Sequence, residues 1–240
     1  MRIDGRTSDE RRKMNIFTDI NKNAHGSVKI STGDTEVLCT AMLEKGVPPF
    51  LEGSGNGWLT AEYAMLPACT PMRKKRDTGK PDGRSVEIQR LIGRSLRGVC
   101  DFTGMGEYTI YIDCDVLNAD GGTRTAAISG AFVALAICID KALKNGSLSK
   151  SPIQKHVAAI SAGIVENELL LDLCYVEDSA AQADMNLVAS GDGIAEVQIT
   201  GEKRTVSQQE FNGLMALCQK GVDEIIAIQK ATLLTKEITI

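Results

Sequence analysis

The sequence predicts an α+β protein of two subdomains, with helices packed on mixed sheets. Two observations predict this class. Hairpin signals are followed by long helical patterns in both halves of the 240-residue chain. Each helical pattern carries an apolar face, and Thr125–Lys144 is apolar nearly all round, so the helices pack on the sheets. The expected division falls at the Asn145-Gly146 stop, giving subdomains 1–146 and 147–240. No repeat or low-complexity segment is visible.

Residues 1–23 are polar and rich in Arg and Asn and read as a loosely structured arm. Ser27–Ser31 and Thr35–Leu43 alternate in polarity around Gly33-Asp34, a hairpin signal. Gly46–Trp58, with two prolines and four glycines, reads as a long loop. Arg73–Arg84 reads as a basic one. A helix is expected over Ser85–Val99, burying Ile88, Leu91, Ile92, Ser95, Leu96 and Val99, with Arg90, Arg94 and Arg97 on the opposite face. Tyr108–Val116 reads as a strand. Thr125–Lys144 reads as a helix apolar nearly all round, hence central. After a linker at Ser147–Lys155, two more hairpins follow. One pairs Val157–Val165 with Glu168–Cys174; the other pairs Asp184–Ala189 with Ile194–Ile199. Ser207 and Glu210 fit a capping box that opens a last helix reaching Leu234.

The composition narrows the function. Aromatic residues are only 4% of the chain, so base stacking on aromatic platforms is not an obvious strategy. The net charge is -4, so nucleic-acid binding must use a local basic patch. The seven cysteines are widely spaced and never form a C-x-x-C pair, which argues against a zinc site and a disulfide framework. His25 and His156 read as structural. With no apolar signal core and no apolar run long enough to cross a membrane, a cytoplasmic protein with no membrane partner is expected.

Three segments carry chemistry. The first is Asp113–Thr125, in which a strand runs through Gly121-Gly122 straight into a helix. Such a turn gathers backbone N–H groups at a positive helix end and suits an anion, phosphate first of all. Thr123 and Thr125 add hydroxyls, and Arg124 adds a planar fork that matches phosphate. An ordinary strand–turn–helix joint with a threonine cap is the other reading. The second segment, Tyr175–Asn186, holds Glu177, Asp178 and Asp184. A strand or tight loop would bring Asp178 and Asp184 to one side, where they suit a divalent cation or a protonated general acid. A solvated acidic turn is the alternative. The third is a set of nine cations between Arg73 and Arg97, suited to following a phosphate backbone or to pairing with carboxylates.

Taken in register, these segments resemble the ribonuclease PH family of phosphorolytic exoribonucleases that trim tRNA 3′ ends. The likeness spans residues 2 to about 234. It also rests on Gly5-Arg6, His25–Val28, Gly33–Thr40, Gly57–Pro67 and Gly83–Ile92. The resemblance implies a ribosomal-protein-S5-like fold and a homo-hexameric ring built as a trimer of dimers. It implies inorganic phosphate as co-substrate, held by Arg84, Gly122, Thr123 and Arg124. Asp178 and Asp184 match the acidic pair, with Asp184 the expected general acid and both expected to bind Mg²⁺. Arg73 and Arg76 match tRNA-contacting arginines. Ala68 and Cys69 stand where family members often carry arginine and serine, which removes one RNA contact. The expected activity is phosphate-dependent 3′-to-5′ trimming of tRNA precursors and other RNAs, releasing nucleoside diphosphates reversibly. A silent RNA-binding ring subunit and a hydrolytic metal-dependent nuclease are the rivals.

Overall fold

The computed structural model describes residues 2–76, 79 and 82–240; Lys80 of the basic loop lies outside them. The first sheet contains β1 (Met14–Thr18), β2 (Gly26–Thr32), β3 (Thr35–Lys45), β4 (Trp58–Met65) and β5 (Tyr108–Asn118) in the order β1-β2-β3-β5-β4. Its pairings are antiparallel except β4 with β5, which run parallel. The parallel pair needs a crossover, and α1 (Gly83–Arg97) supplies it. The second sheet contains β6 (Ala158–Val165), β7 (Glu168–Leu171), β8 (Ala183–Ala189) and β9 (Ile194–Thr200) in the order β7-β6-β8-β9. All its pairings are antiparallel, so only the first sheet is mixed. Three helices complete the fold: α2 (Thr123–Lys144), α3 (Tyr175–Ala180) and α4 (Gln208–Leu234).

Most expected elements form. Glu166 and Asn167 both take positive φ, 51° and 66°, as a two-residue hairpin turn requires. The Ser207–Glu210 capping box is in place. α1 starts and ends two residues earlier than its periodicity suggests, because Asp82 caps it by accepting the Ser85 N–H at 2.6 Å. That bond and Lys74 hold the Asp82 carboxyl down at about 2.

α2 is the central beam. It is long and apolar enough to cross a membrane by length and composition alone, contrary to the expectation that no run is long enough. Here it is buried against β2 and β3 of the first sheet and against β6 and α4 of the second half. Its approach to β2 is so close that a Cβ at Gly26 would lie 2.0 Å from the Ala134 carbonyl oxygen. Gln229 of α4 donates to the carbonyls of Ser129 (3.0 Å) and Val157 (2.9 Å), which ties α4, α2 and the start of the second sheet together.

Four expectations need correction. Residues 1–23 are not loose: they include β1, and Arg2 and Arg12 are buried in ion pairs. Arg2 grips Glu177 through two bonds of 2.7 Å and donates to the Leu171 and Asp172 carbonyls. Arg12 grips Asp172 at 2.6 and 3.0 Å, and its backbone N–H adds a bond of 2.8 Å. Glu168–Cys174 is not one strand: β7 stops at Leu171 because Asp172 turns to φ 53° to meet those arginines. Residues 58–65 form β4, where no strand was expected. Arg97 does not share the solvent face of Arg94. It lies over the Trp58 ring, 4.8 Å from its centroid, and donates to the Leu59 carbonyl.

Burial alone would push the Asp172 carboxyl up, but bonding to Arg12 outweighs it and holds the group below its ordinary value. Arg12→Met strands this charge, and a loss of about 3 kcal/mol is expected in urea unfolding at pH 7. A depressed carboxylate stabilises the fold above its unfolded value, 3.8 here, and that gain fades as pH falls through the folded value. The gap between wild type and variant should therefore narrow on acidification below about pH 4.

Candidate active site

β5 ends at Asn118, and Asp120, Gly121 and Gly122 turn the chain into α2. Gly121 and Gly122 take φ of 72° and 66°. A Cβ on Gly121 would meet the Leu173 carbonyl oxygen at 2.6 Å, so only glycine lets the turn pack against the second half. Thr35 Oγ1 accepts the Asp120 N–H at 2.9 Å and donates to the Gly121 carbonyl at 2.6 Å. Arg12 donates to the Asp120 carbonyl, and the Tyr175 N–H donates to Asp120 Oδ1 at 3.0 Å. The turn is thus fixed from three sides. No side chain caps α2 at its N-terminal end, so the first N–H groups and the helix dipole face outward.

They face a cavity of about 880 Å³ lined by both halves of the chain. Gly122, Thr123, Arg124 and Arg84 line it from the first half, and Asp178 and Asp184 from the second. The cleft therefore brings all six of these predicted residues together. Arg84 is exposed in the first turn of α1. Arg124 reaches across to β9, donating to Gln198 Oε1 at 2.8 Å, and lies 3.8 Å from Glu87. Thr123 is buried and accepts the Tyr63 hydroxyl at 2.9 Å. Thr125, expected to offer its hydroxyl to the ligand, instead turns back to the Gly122 carbonyl at 2.9 Å.

The acidic segment departs from expectation in detail. Asp178 sits on α3, which is neither strand nor tight loop, and Asp184 is the second residue of β8. The Arg2–Glu177 clamp fixes α3 and so aims the neighbouring Asp178. Partial burial raises both carboxyl groups. Arg84 and Arg124 oppose the rise at Asp178, whereas Asp178 and Glu202 add to it at Asp184. Asn186 donates to Asp184 Oδ2 at 3.3 Å and lies two residues on along the same strand face.

Arg73 and Arg76 do not line the cavity. They are exposed on the segment after Thr70, and Arg76 is close enough to Asp115 to oppose its burial-driven rise. Lys74 lines the cavity instead and pairs with Asp82 at 3.0 Å. Cys69 is buried, and its carbonyl accepts the Ala119 N–H, pinning the loop beside the glycine turn. Sequence reasoning missed Tyr63, Asn186, Gln198 and Glu202. The Gly57–Pro67 motif contains Tyr63, and the i, i+2 spacing from Asp184 points to Asn186. Gln198 and Glu202 leave no local signal.

The sequence matches the 3′ exoribonuclease family, domain 1 over residues 10–139 and domain 2 over residues 155–221. It is 52% identical over 229 residues to ribonuclease PH of Exiguobacterium sibiricum, covering 94% of this chain and 92% of that one. It is 52% identical over 237 residues to ribonuclease PH of Bacillus subtilis, covering 97% of each. The fold matches the crystal structure of rice (Oryza sativa) Rrp46 at a TM-score of 0.79 with 20% identity, covering 97% of this chain and 100% of that one. It also matches the Archaeoglobus fulgidus exosome with RNA bound to the active site, at a TM-score of 0.79 with 22% identity over 94% of this chain and 91% of that one.

The electrostatics of the acid pair are testable. Asp178→Asn removes a like charge, so the Asp184 titration followed by carboxyl-carbon NMR should move to lower pH. An unmoved Asp184 would show that the two carboxylates do not sense each other.

Proposed function

The chain belongs to the 3′ exoribonuclease family, and from that membership and the cleft we propose the roles of its residues. It is a phosphate-dependent 3′-to-5′ exoribonuclease that trims 3′ ends of tRNA precursors and other RNAs and releases nucleoside diphosphates. One observation carries the assignment of roles: an anion cradle from the first half faces two carboxyl groups from the second, both titrating above their ordinary value.

Orthophosphate sits against the open N–H groups at Gly122–Arg124, with Arg84, Arg124 and the Thr123 hydroxyl around it. Held there, one of its oxygens attacks the last phosphodiester in line. The new P–O bond forms as the bond to the ribose 3′ oxygen breaks, and Asp184 hands its proton to that oxygen. The raised pKa of Asp184 keeps it protonated to higher pH than an ordinary aspartate, which suits an acid. A phosphoester is exchanged for a phosphoanhydride, so excess nucleoside diphosphate should drive nucleotide addition.

Asp178 and Asp184 would hold Mg²⁺. Such sites commonly use one or two carboxylates and take their remaining ligands from substrate oxygens and water. Burial and the nearby Glu202 raise both Asp178 and Asp184, and Asp178 adds to the rise at Asp184, so a cation there would offset crowded negative charge. When bound, the ion supplies charge neutralisation at the reacting phosphate. Among the described residues no three His, Cys, Asp or Glu side chains are grouped to hold a metal, which disfavours the hydrolytic two-metal rival. The silent-subunit rival is disfavoured because Arg84, Thr123, Arg124, Asp178 and Asp184 are all present in the cleft. The proposal includes RNA held by Arg73 and Arg76 outside the cavity, a cytoplasmic setting and a hexameric ring built as a trimer of dimers.

A short end-labelled RNA incubated with and without phosphate tests the reaction. Diphosphate released only with phosphate is the expected outcome, and monophosphate release would support hydrolysis. Arg84→Ala should raise the KM for phosphate at least tenfold, the order expected when a charged hydrogen bond is lost. Arg73→Ala with Arg76→Ala should instead weaken RNA binding and lower its salt dependence by about two counter-ions. Unchanged salt dependence would remove both arginines from the RNA path.

A further inference from the structure

Tyr63 is a buried hydroxyl that the reaction above does not use. It lies on β4 opposite Cys114 of β5, and only 3% of it is exposed. Its hydroxyl meets Thr123 Oγ1 at 2.9 Å, on the first residue of α2 beside Gly122 and Arg124. A threonine hydroxyl has a single hydrogen, as does a phenol, so only one of the two donates across this contact. If Thr123 donated, the phenol hydrogen would be left without an acceptor in a buried site, a costly arrangement. Tyr63 therefore donates, and the Thr123 hydrogen is released to point elsewhere. Thr123 lines the cavity, and among the described residues its hydroxyl has no other hydrogen-bond partner.

We propose that Tyr63 is a positioning residue that directs the hydroxyl hydrogen of Thr123 into the cavity, as a preset donor for a phosphate oxygen. This rests on the reading of the Gly122–Arg124 turn as a phosphate site. Burial raises the Tyr63 phenol, and the nearby guanidinium groups of Arg84 and Arg124 do not reverse this, so it stays a proton donor at neutral pH. The hydroxyl also becomes a better donor by accepting a bond itself, since linked hydrogen bonds polarise one another. No proton is transferred; the pair works by orientation.

The test is calorimetric titration of inorganic phosphate into the full-length, RNA-free protein, with RNA binding and phosphorolysis measured beside it. Tyr63→Phe keeps the ring and removes only the donor; it should weaken phosphate binding about fivefold and leave RNA affinity unchanged. Thr123→Val should weaken it about tenfold, and Thr123→Ser should restore most of the loss. Because both hydroxyls act through one hydrogen, the double variant should bind phosphate no more weakly than Thr123→Val alone. Losses that multiply in the double variant, or equal weakening of RNA and phosphate by Tyr63→Phe, would overturn the proposal. The two readings fail separately. Wild-type binding of phosphate without diphosphate release overturns the reaction and leaves the Tyr63 role standing. Phosphate-dependent release with unaltered phosphate binding by Tyr63→Phe overturns the Tyr63 role alone.

Discussion

The structure depends most on the buried pair of Arg12 and Asp172. Arg12 comes from the N-terminal arm, Asp172 from the end of β7, and the same guanidinium reaches the Asp120 carbonyl in the turn that begins α2. One planar fork therefore joins three parts of the chain at the place where the two halves must be in register. Arginine suits this because its donors diverge in a plane and it keeps its charge at any working pH. Arg2 repeats the device one step further along, clamping Glu177 and with it the helix that carries Asp178. A pair of this kind adds little net stability over an apolar contact, yet removing one partner leaves a charge stranded. It specifies position more than it holds the fold together.

That precision matters because the cleft sets opposite demands side by side. The first half must present positive potential to an anion, and it does so with backbone N–H groups and two arginines. For the proposed role of Asp184 the second half must favour a proton on its carboxyl group, and partial burial with Asp178 and Glu202 nearby raises it in that direction. Arg124 already opposes the rise at Asp184, and its contacts with Gln198 and Glu87 hold that arginine in place, so the opposition stays smaller than the rise. Acid and cradle belong to different sheets, so their separation follows from the packing of both against α2.

The sequence was legible wherever function and local structure coincide. Gly121-Gly122 is both a backbone necessity and a ligand seat, so it stands out without any structure. The cap at Ser207, the all-apolar face of α2 and the Glu166-Asn167 turn are likewise written in local residue types. The arm was misread because Arg2 and Arg12 look like solvated charges until partners about 160 residues or more away are known. β4 was missed because the glycine-rich run before it reads as one continuous loop. α3 was missed because six residues are too few to show a helical period. Tyr63 and Gln198 reach Thr123 and Arg124, and Glu202 lines the cleft, only through tertiary packing, which no spacing rule encodes.

What the cleft does is decided by which groups remain unspent. Thr35 and Arg12 are consumed in fixing the turn, Thr125 in satisfying the Gly122 carbonyl, and Lys203 in donating to the Ala180 carbonyl at the end of α3 at 2.7 Å. The N–H groups that open α2 have no side-chain cap, because the position before Thr123 is a glycine with nothing to offer them. A serine or aspartate there would satisfy the helix from within and would occupy the seat of the anion. The uncapped helix end is thus unfavourable for the free protein, and in the proposed complex a phosphate oxygen would repair the deficit that the glycine leaves. A neutral water molecule repairs it less well, having no charge to set against the dipole and the two guanidinium groups. In the proposed reaction, the open N–H groups of α2 would favour phosphate as nucleophile as much as the side chains placed around it.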